Sequence, residues 1–163
     1  MAIAEPQLLH FKPGTTMPNS RLPVVLYRGA LPGGAADFDR LFRLNGWVGI
    51  WHNGVFDYDH YHSNAHEVLG VGHGGARLQL GGPEGKVVEV AAGDCVILPA
   101  GTGHRRISAS PDFEMIGAYP KGQEKYDIQR ERSAKADARI AEVPMPESDP
   151  VRGADGPLLR LWA

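Results

Sequence analysis

Short runs of strand-type residues, each closed by glycine, most constrain what this chain can fold into. Glu67–Val71, Arg77–Leu80, Lys86–Val90, Asp94–Leu98, His104–Ser108 and Phe113–Tyr119 follow one another across some fifty residues. Gly72, Gly74, Gly75, Gly81, Gly82, Gly85, Gly93 and Gly101 punctuate them. Such spacing predicts an all-β sandwich or barrel rather than βαβ units. Asp94–Leu98 is nearly all apolar, as in a strand covered on both faces, whereas Lys86–Val90 alternates.

The flanking regions read differently. Residues 1–30 predict an N-terminal arm with edge strands at Leu8–Phe11 and Pro23–Tyr27, and Pro32–Gly34 closes the second. Ala35–Asn45 predicts a helix, because Phe38, Leu41 and Phe42 recur at helical spacing and Asn45-Gly46 stops the pattern. Trp47–His52 predicts a strand. Asn53-Gly54 then predicts a two-residue hairpin, with Val55–His62 as the return strand. In that hairpin Phe56, Tyr58, His60 and His62 share one inward face with Trp47, Gly49 and Trp51. Residues 120–163 predict an extension with a solvated helix at Gln129–Ala141. Its apolar end, Leu158, Leu159 and Trp162, docks on the barrel or on a partner subunit.

At 163 residues the chain suits one domain, with 47–119 as its core. A net charge of -2 leaves no basic field for nucleic acid. No run is long and apolar enough to span a membrane, and the N-terminus does not read as a secretory leader. The single cysteine, Cys95, excludes an internal disulfide and predicts a cytoplasmic setting. It sits in an apolar run, which predicts packing rather than nucleophilic chemistry.

The candidate chemistry lies in two stretches. His60 and His62 are two residues apart, so on a strand both leave one face, and Glu67 follows. His104 comes after the Gly93–Gly101 segment. Three imidazoles and a carboxylate suit Mn, Fe, Co, Ni, Cu or Zn, and not Ca or Mg. Four such ligands leave coordination positions open for water, oxygen or substrate. His66, next to Glu67, turns the other way by alternation. His10, His52 and His73 read as exposed or structural. Arg106, two residues beyond His104, shares its face and is a candidate clamp for an anionic substrate. Tyr58 is a candidate proton donor.

Both stretches resemble the paired motifs of the cupin superfamily. The first runs Gly54, His60-x-His62, Glu67, Gly74, and the second Gly93, Pro99-x-Gly101, His104. The resemblance implies a single-domain, jelly-roll-like double-stranded β-helix barrel with one or two short peripheral helices. It also implies one divalent metal, Fe, Mn, Ni or Zn, on His60, His62, Glu67 and His104. Ser108 stands where the second motif usually has Asn, a position that is not normally a ligand. Residues 60–67, the Ala118–Gly122 segment and the terminal Gly156–Trp162 further resemble small bacterial cupins of the YjlB type. The function so implied is metal-dependent chemistry, dioxygenase- or isomerase-like, on a small molecule, an anionic one if Arg106 is its clamp. The alternative is a non-catalytic binding module with a structural metal. A homodimer is the expected partner state, since cupins often pair.

Overall fold

The large sheet is covered by apolar groups on both faces, and this explains its sequence. A computed structural model describes residues 5–32 and 36–163. The predicted turn at Gly33-Gly34 and the helix start at Ala35 lie outside them. The elements are β1 Gln7–Leu9, β2 Val24–Tyr27, α1 Ala36–Leu44, β3 Val48–Asn53, β4 Glu67–His73 and β5 Gly75–Leu80. They continue as β6 Lys86–Ala91, β7 Cys95–Leu98, β8 His104–Ala109, β9 Glu114–Tyr119, α2 Ala134–Glu142 and α3 Leu158–Leu161. Six strands form one sheet in the order β1-β2-β7-β4-β9-β3, and three form a second in the order β6-β5-β8. Every ladder is antiparallel. Among the described residues no ladder joins the sheets, which instead face each other across a shared core. The architecture is the all-β double-stranded β-helix, with short helices outside it.

Alternation sorts each central strand between two clusters. Val24, Leu26, Leu69, Val71, Val96, Leu98 and Met115 face the second sheet, where they meet Leu78, Leu80, Val88 and Val90. Val25, Tyr27, Val68, Ile97 and Ile116 point outward and are covered by Phe38 and Phe42 of α1, Trp47, Leu158 and Trp162. β2 and β7 are therefore buried at every position, as the apolar run predicted for β7, and β2 lies inside the sheet between β1 and β7 rather than at its edge. Gly70 makes room for the helix, because a Cβ there would lie 2.6 Å from the Phe38 ring. Cys95 is buried, and burial first among the causes pushes its thiol pKa up, as suits packing rather than reactivity.

The predicted hairpin at Asn53-Gly54 does not form. β3 pairs with β9, not with Val55–His62, and neither turn residue has the positive φ that a type I′ turn needs. The long-range ladder to β9 out-competes the local signal, and 55–62 crosses as an irregular segment toward the second sheet. There His60 bridges His104, and Tyr61 bridges Gln129. Trp47 and Trp51 do not share a face either. The register shifts between Val48 and Trp51, where Gly49 takes φ +67°. Trp47 thus packs outside the large sheet and Trp51 inside it. The second helix is also shorter than expected. It begins at Ala134, where the Ser133 side chain accepts the Ala136 N–H.

The C-terminal extension docks on its own domain. Trp162 is 1% exposed and donates its indole N–H to the Pro23 carbonyl at 2.9 Å. Leu158 is fully buried, so the tail is not a free pairing surface.

His52 of β3 ties α1 to the sheet, with Nε2 2.8 Å from Asp39 and Nδ1 3.4 Å from Glu114. The Asp39 bond above all raises its pKa above 6.5, against the opposing pull of burial. A raised folded-state pKa means stabilisation that is full below pH 6.5 and is lost as pH rises through the folded value. The stability gap between the protein and His52→Gln should be widest in mild acid and close toward alkaline pH. Urea midpoints measured across pH check this; a gap that widens with pH contradicts it.

Candidate metal centre

Four side chains meet between the sheets near one end of the fold. Glu67 opens β4 on the inward face that continues with Leu69 and Val71. His104 opens β8 opposite Leu80. His60 and His62 arrive on the irregular segment, held beside β8 by paired His60–His104 backbone bonds of 3.2 and 2.9 Å. All four are at most 5% exposed. One ring nitrogen from each of His60, His62 and His104 lies within 4.8 Å of the others. Glu67 Oε1 is 3.3 Å from His62 Nε2 and 3.4 Å from His104 Nε2. Two donors each about 2.1 Å from a shared ion stand roughly 3.0–3.5 Å apart, so these separations are those of adjacent ligands.

Hydrogen bonding fixes which nitrogens face inward. Each Nδ1 meets a backbone carbonyl: His60 with Tyr58 at 3.0 Å, His62 with Asp127 at 2.5 Å, His104 with Thr102 at 2.9 Å. A carbonyl only accepts, so each Nδ1 carries hydrogen, and in the neutral ring Nε2 is left as a lone pair. Three Nε2 lone pairs and a carboxylate then confront one another away from water. A cluster of acceptors is costly to bury without a cation at its centre. The three imidazoles fit a transition metal in type, tautomer and spacing, and the Glu67 carboxylate stands beside two of them.

The electrostatics agree. Burial, then His104, push His60 down to about 3, which keeps it neutral and able to ligate. Burial opposes ionisation of Glu67, but His62 and His104 together hold it below the usual carboxylate range. Burial also pulls His62 down, and the Glu67 charge and hydrogen bond outweigh it, so His62 rises. Without a metal, His62 and Glu67 would form the ion pair that shares the site's proton.

Two supporting shells escaped the sequence reading. Tyr119 donates its hydroxyl to Glu67 Oε2 at 2.7 Å and accepts the Trp51 indole N–H at 2.8 Å. Burial and the neighbouring carboxylate push Tyr119 well above the usual phenol value, so it keeps its proton. Trp51 reaches it across Gly117, where a Cβ would lie 2.1 Å from the indole. The second shell comes from the C-terminal extension. Asp127 accepts from the Ser63 N–H at 2.7 Å, from the Ser63 hydroxyl and from Gln129 at 3.1 Å. Arg139 lies 3.4 Å away. Burial works against this carboxylate's charge, yet those bonds keep its pKa low. Its backbone carbonyl is the one that holds His62. A predicted inward face on β9 would have flagged Tyr119; nothing local flags Asp127.

Tyr119→Phe should release Glu67 Oε2 and weaken metal binding by about 10- to 100-fold, the usual cost of losing such a partner. Competition against a chromophoric chelator measures it; unchanged affinity would show that Glu67 needs no holding.

The other candidates lie elsewhere. Tyr58 stacks on Phe56 at 5.0 Å, sets its edge 5.6 Å from His60 and carries the Arg130 guanidinium 4.1 Å over its ring. Arg106 crosses Gly54, where a Cβ would lie 2.9 Å from its terminal nitrogen, and borders a surface depression with Asn53, His73 and Glu114. Neither lines the cavity over the four ligands. His66 faces outward, as alternation predicted. It is buried rather than exposed, 4.8 Å from the Trp162 ring, with Nδ1 accepting the Ala100 N–H at 2.9 Å. Its Nε2–H therefore points toward the Pro144 carbonyl side without a bond of good geometry. Burial pushes His66 down to about 4, so it is neutral. His10 and His73 are exposed. Among the described residues no helix is long and apolar enough to cross a membrane.

No family model matches the chain. The uncharacterized protein YjlB of Bacillus subtilis (strain 168) is 39% identical over 166 residues, covering 97% of each chain. Among solved structures, an uncharacterized conserved protein with a double-stranded β-helix domain from Klebsiella pneumoniae is 17% identical. It covers 79% of this chain and 88% of its own, at a TM-score of 0.39. A DUF861 family protein from Thermotoga maritima is 22% identical over 48% of this chain and 86% of its own, at a TM-score of 0.36. These two superpose too loosely to bear on the site.

Proposed function

The chain belongs to the YjlB family of cupins, and from that premise we propose that it binds one divalent transition metal on His60, His62, Glu67 and His104 and uses it in chemistry on a small molecule. The observation that carries this reading is the set of Nε2 lone pairs turned on one carboxylate, each ring locked by a backbone carbonyl. Bound there, a transition metal supplies Lewis acidity, or electron transfer if it is iron or manganese, which covers isomerase- and dioxygenase-type reactions. The protein's own groups do the rest. Tyr119 commits Glu67 Oε2 to a hydrogen bond, so Glu67 offers only Oε1 and open positions stay open. Trp51, Leu69 and Tyr126 line the cavity above. Tyr58 and Arg106 lie beyond that lining, so any part they play is at the mouth.

A non-catalytic reading has one observation in its favour. The ligands come from β4, β8 and the irregular 60–62 segment, so a metal would also tether three parts of the fold. Metal analysis of the purified protein, followed by oxygen uptake and turnover assays on small-molecule panels, separates the two. Bound iron or manganese with turnover supports the enzyme. Zinc that raises Tm without turnover supports the structural role, and no metal at all overturns both. A homodimer remains part of the proposal, and light scattering reads it directly.

A further inference from the structure

The cavity above the four ligands has a shape and chemistry of its own. Its volume is about 190 Å³. Pockets for drug-sized ligands run from roughly 300 Å³ upward. A closed apolar cavity of about 150 Å³ is known to hold benzene. The space therefore suits one ring with a small substituent. Its walls are Trp51, Val55, Phe56, Leu69, Tyr119 and Tyr126, with the metal ligands as floor and His52 and Asn53 at the rim. Among the described residues no lysine or arginine lines it.

The aromatic walls are held in place. Tyr126 stacks on Tyr119 at 4.5 Å and 19°, and its ring sits edge-on to His62 at 4.9 Å. Trp51 is fixed by its bond to Tyr119 and by its seat on Gly117. The mouth is apolar too. Phe56 is 47% and Tyr126 37% exposed, so ring faces border the opening. A dicarboxylate or phosphate ester entering here would lose hydration and find no lysine or arginine on the aromatic walls. A flat ring would exchange water for ring faces and edges at favourable separations.

We propose that the cavity takes a single-ring aromatic molecule bearing one donor atom, such as a phenol or an aromatic monoacid, and that Tyr126 sets the size limit. The ring lies among Trp51, Phe56, Leu69 and Tyr126, and its donor points to the floor. The metal reading of the previous subsection underlies only that donor end. Three neutral imidazoles, one carboxylate and a divalent ion carry one net positive charge, which a single anionic donor neutralises.

The test titrates cobalt(II)-loaded protein with phenol, benzoate, acetate, succinate, phosphate and 2-naphthoate, following the visible cobalt spectrum. Benzoate is expected to bind at least about tenfold more tightly than acetate, which has the same donor without the ring. Naphthoate is expected to be refused by the protein and accepted by Tyr126→Ala, with cobalt stoichiometry unchanged. Benzoate no tighter than acetate, or succinate or phosphate tighter than benzoate, overturns the proposal. Naphthoate binding that is equal in both proteins removes Tyr126 from it. If the protein takes up no cobalt, the metal reading fails by itself. The ring pocket is then read from the methyl resonances of Val55 and Leu69: ring-current shifts with phenol support it, and their absence sinks it.

Discussion

His62→Ala and His104→Ala should each abolish stoichiometric metal binding, and with it any gain in Tm on adding metal. Both rings present Nε2 within 3.4 Å of Glu67 Oε1, and both are locked by their Nδ1 bonds. Removing either breaks a preorganised set rather than trimming a flexible one. A ligand at about 1,000 times its Kd stabilises a fold by about 4 kcal/mol. At about 2–4 °C per kcal/mol for a chain of this size, metal should raise Tm by roughly 8–16 °C in the parent and hardly at all in the variants. The control is the metal-free protein. His62→Ala also strands a buried carboxylate that has lost its nearest charge partner, so its metal-free Tm should fall as well. The informative quantity is therefore the difference between loaded and metal-free Tm within each variant, together with metal content by elemental analysis. If both variants keep the parent's metal content, the ligand assignment is wrong.

Asp149→Ala should be the most damaging change remote from the metal. Asp149 has no solvent exposure. Its carboxylate accepts the Tyr27 hydroxyl at 2.6 Å and the backbone N–H groups of Val151, Arg152 and Leu158 at 2.8, 3.0 and 3.2 Å. Burial and the Asp149 hydrogen bond push Tyr27 well above the usual phenol value, so it stays a donor. One carboxylate thus satisfies four donors and clips the C-terminal extension to β2. Alanine would leave most of them buried without partners, a loss on the order of 3–5 kcal/mol. That converts to a Tm drop of roughly 6–20 °C. Asn retains an acceptor and should cost less. Gly156 belongs to the same clip, since a Cβ there would lie 2.2 Å from the Asp149 Cβ, so Gly156→Ala should reproduce part of the effect. Release of the tail would expose Trp162 and red-shift its emission. Metal binding by the still-folded fraction should survive, because Asp149 lies on the outer side of the large sheet. A variant as stable as the parent would mean that the clip is redundant.

That His60, His62, Glu67 and His104 come together was legible from their order along the chain. Glu67 and His66 take opposite faces because side chains alternate along a strand, and that rule needs no partner. The strand set from β4 to β9 was legible because glycine turns and apolar runs are local signals. The Asn53-Gly54 hairpin was misread for the same reason. Its turn preference is local and small, while β3 gains a whole ladder on β9, and no local pattern announces that pairing. The Gly49 bulge then moves Trp47 and Trp51 to opposite sides of the sheet.

Residue type, spacing and alternation by themselves determined the all-β class, the three histidines and one carboxylate that meet between the sheets, and the burial of Cys95. Only the tertiary structure decided that the Asp127 carbonyl locks His62, and that Tyr119 and Trp51 hold Glu67. It also decided that Arg106 stands outside the cavity and that Tyr126 walls it. His60 and His104 are held by the carbonyl two residues before them, but Tyr119 to Glu67, His62 to Asp127 and Trp51 to Tyr119 join residues 52 to 68 positions apart. Each depends on the relative placement of whole strands and loops, which is set by how the two clusters pack and not by any property of the residues that touch.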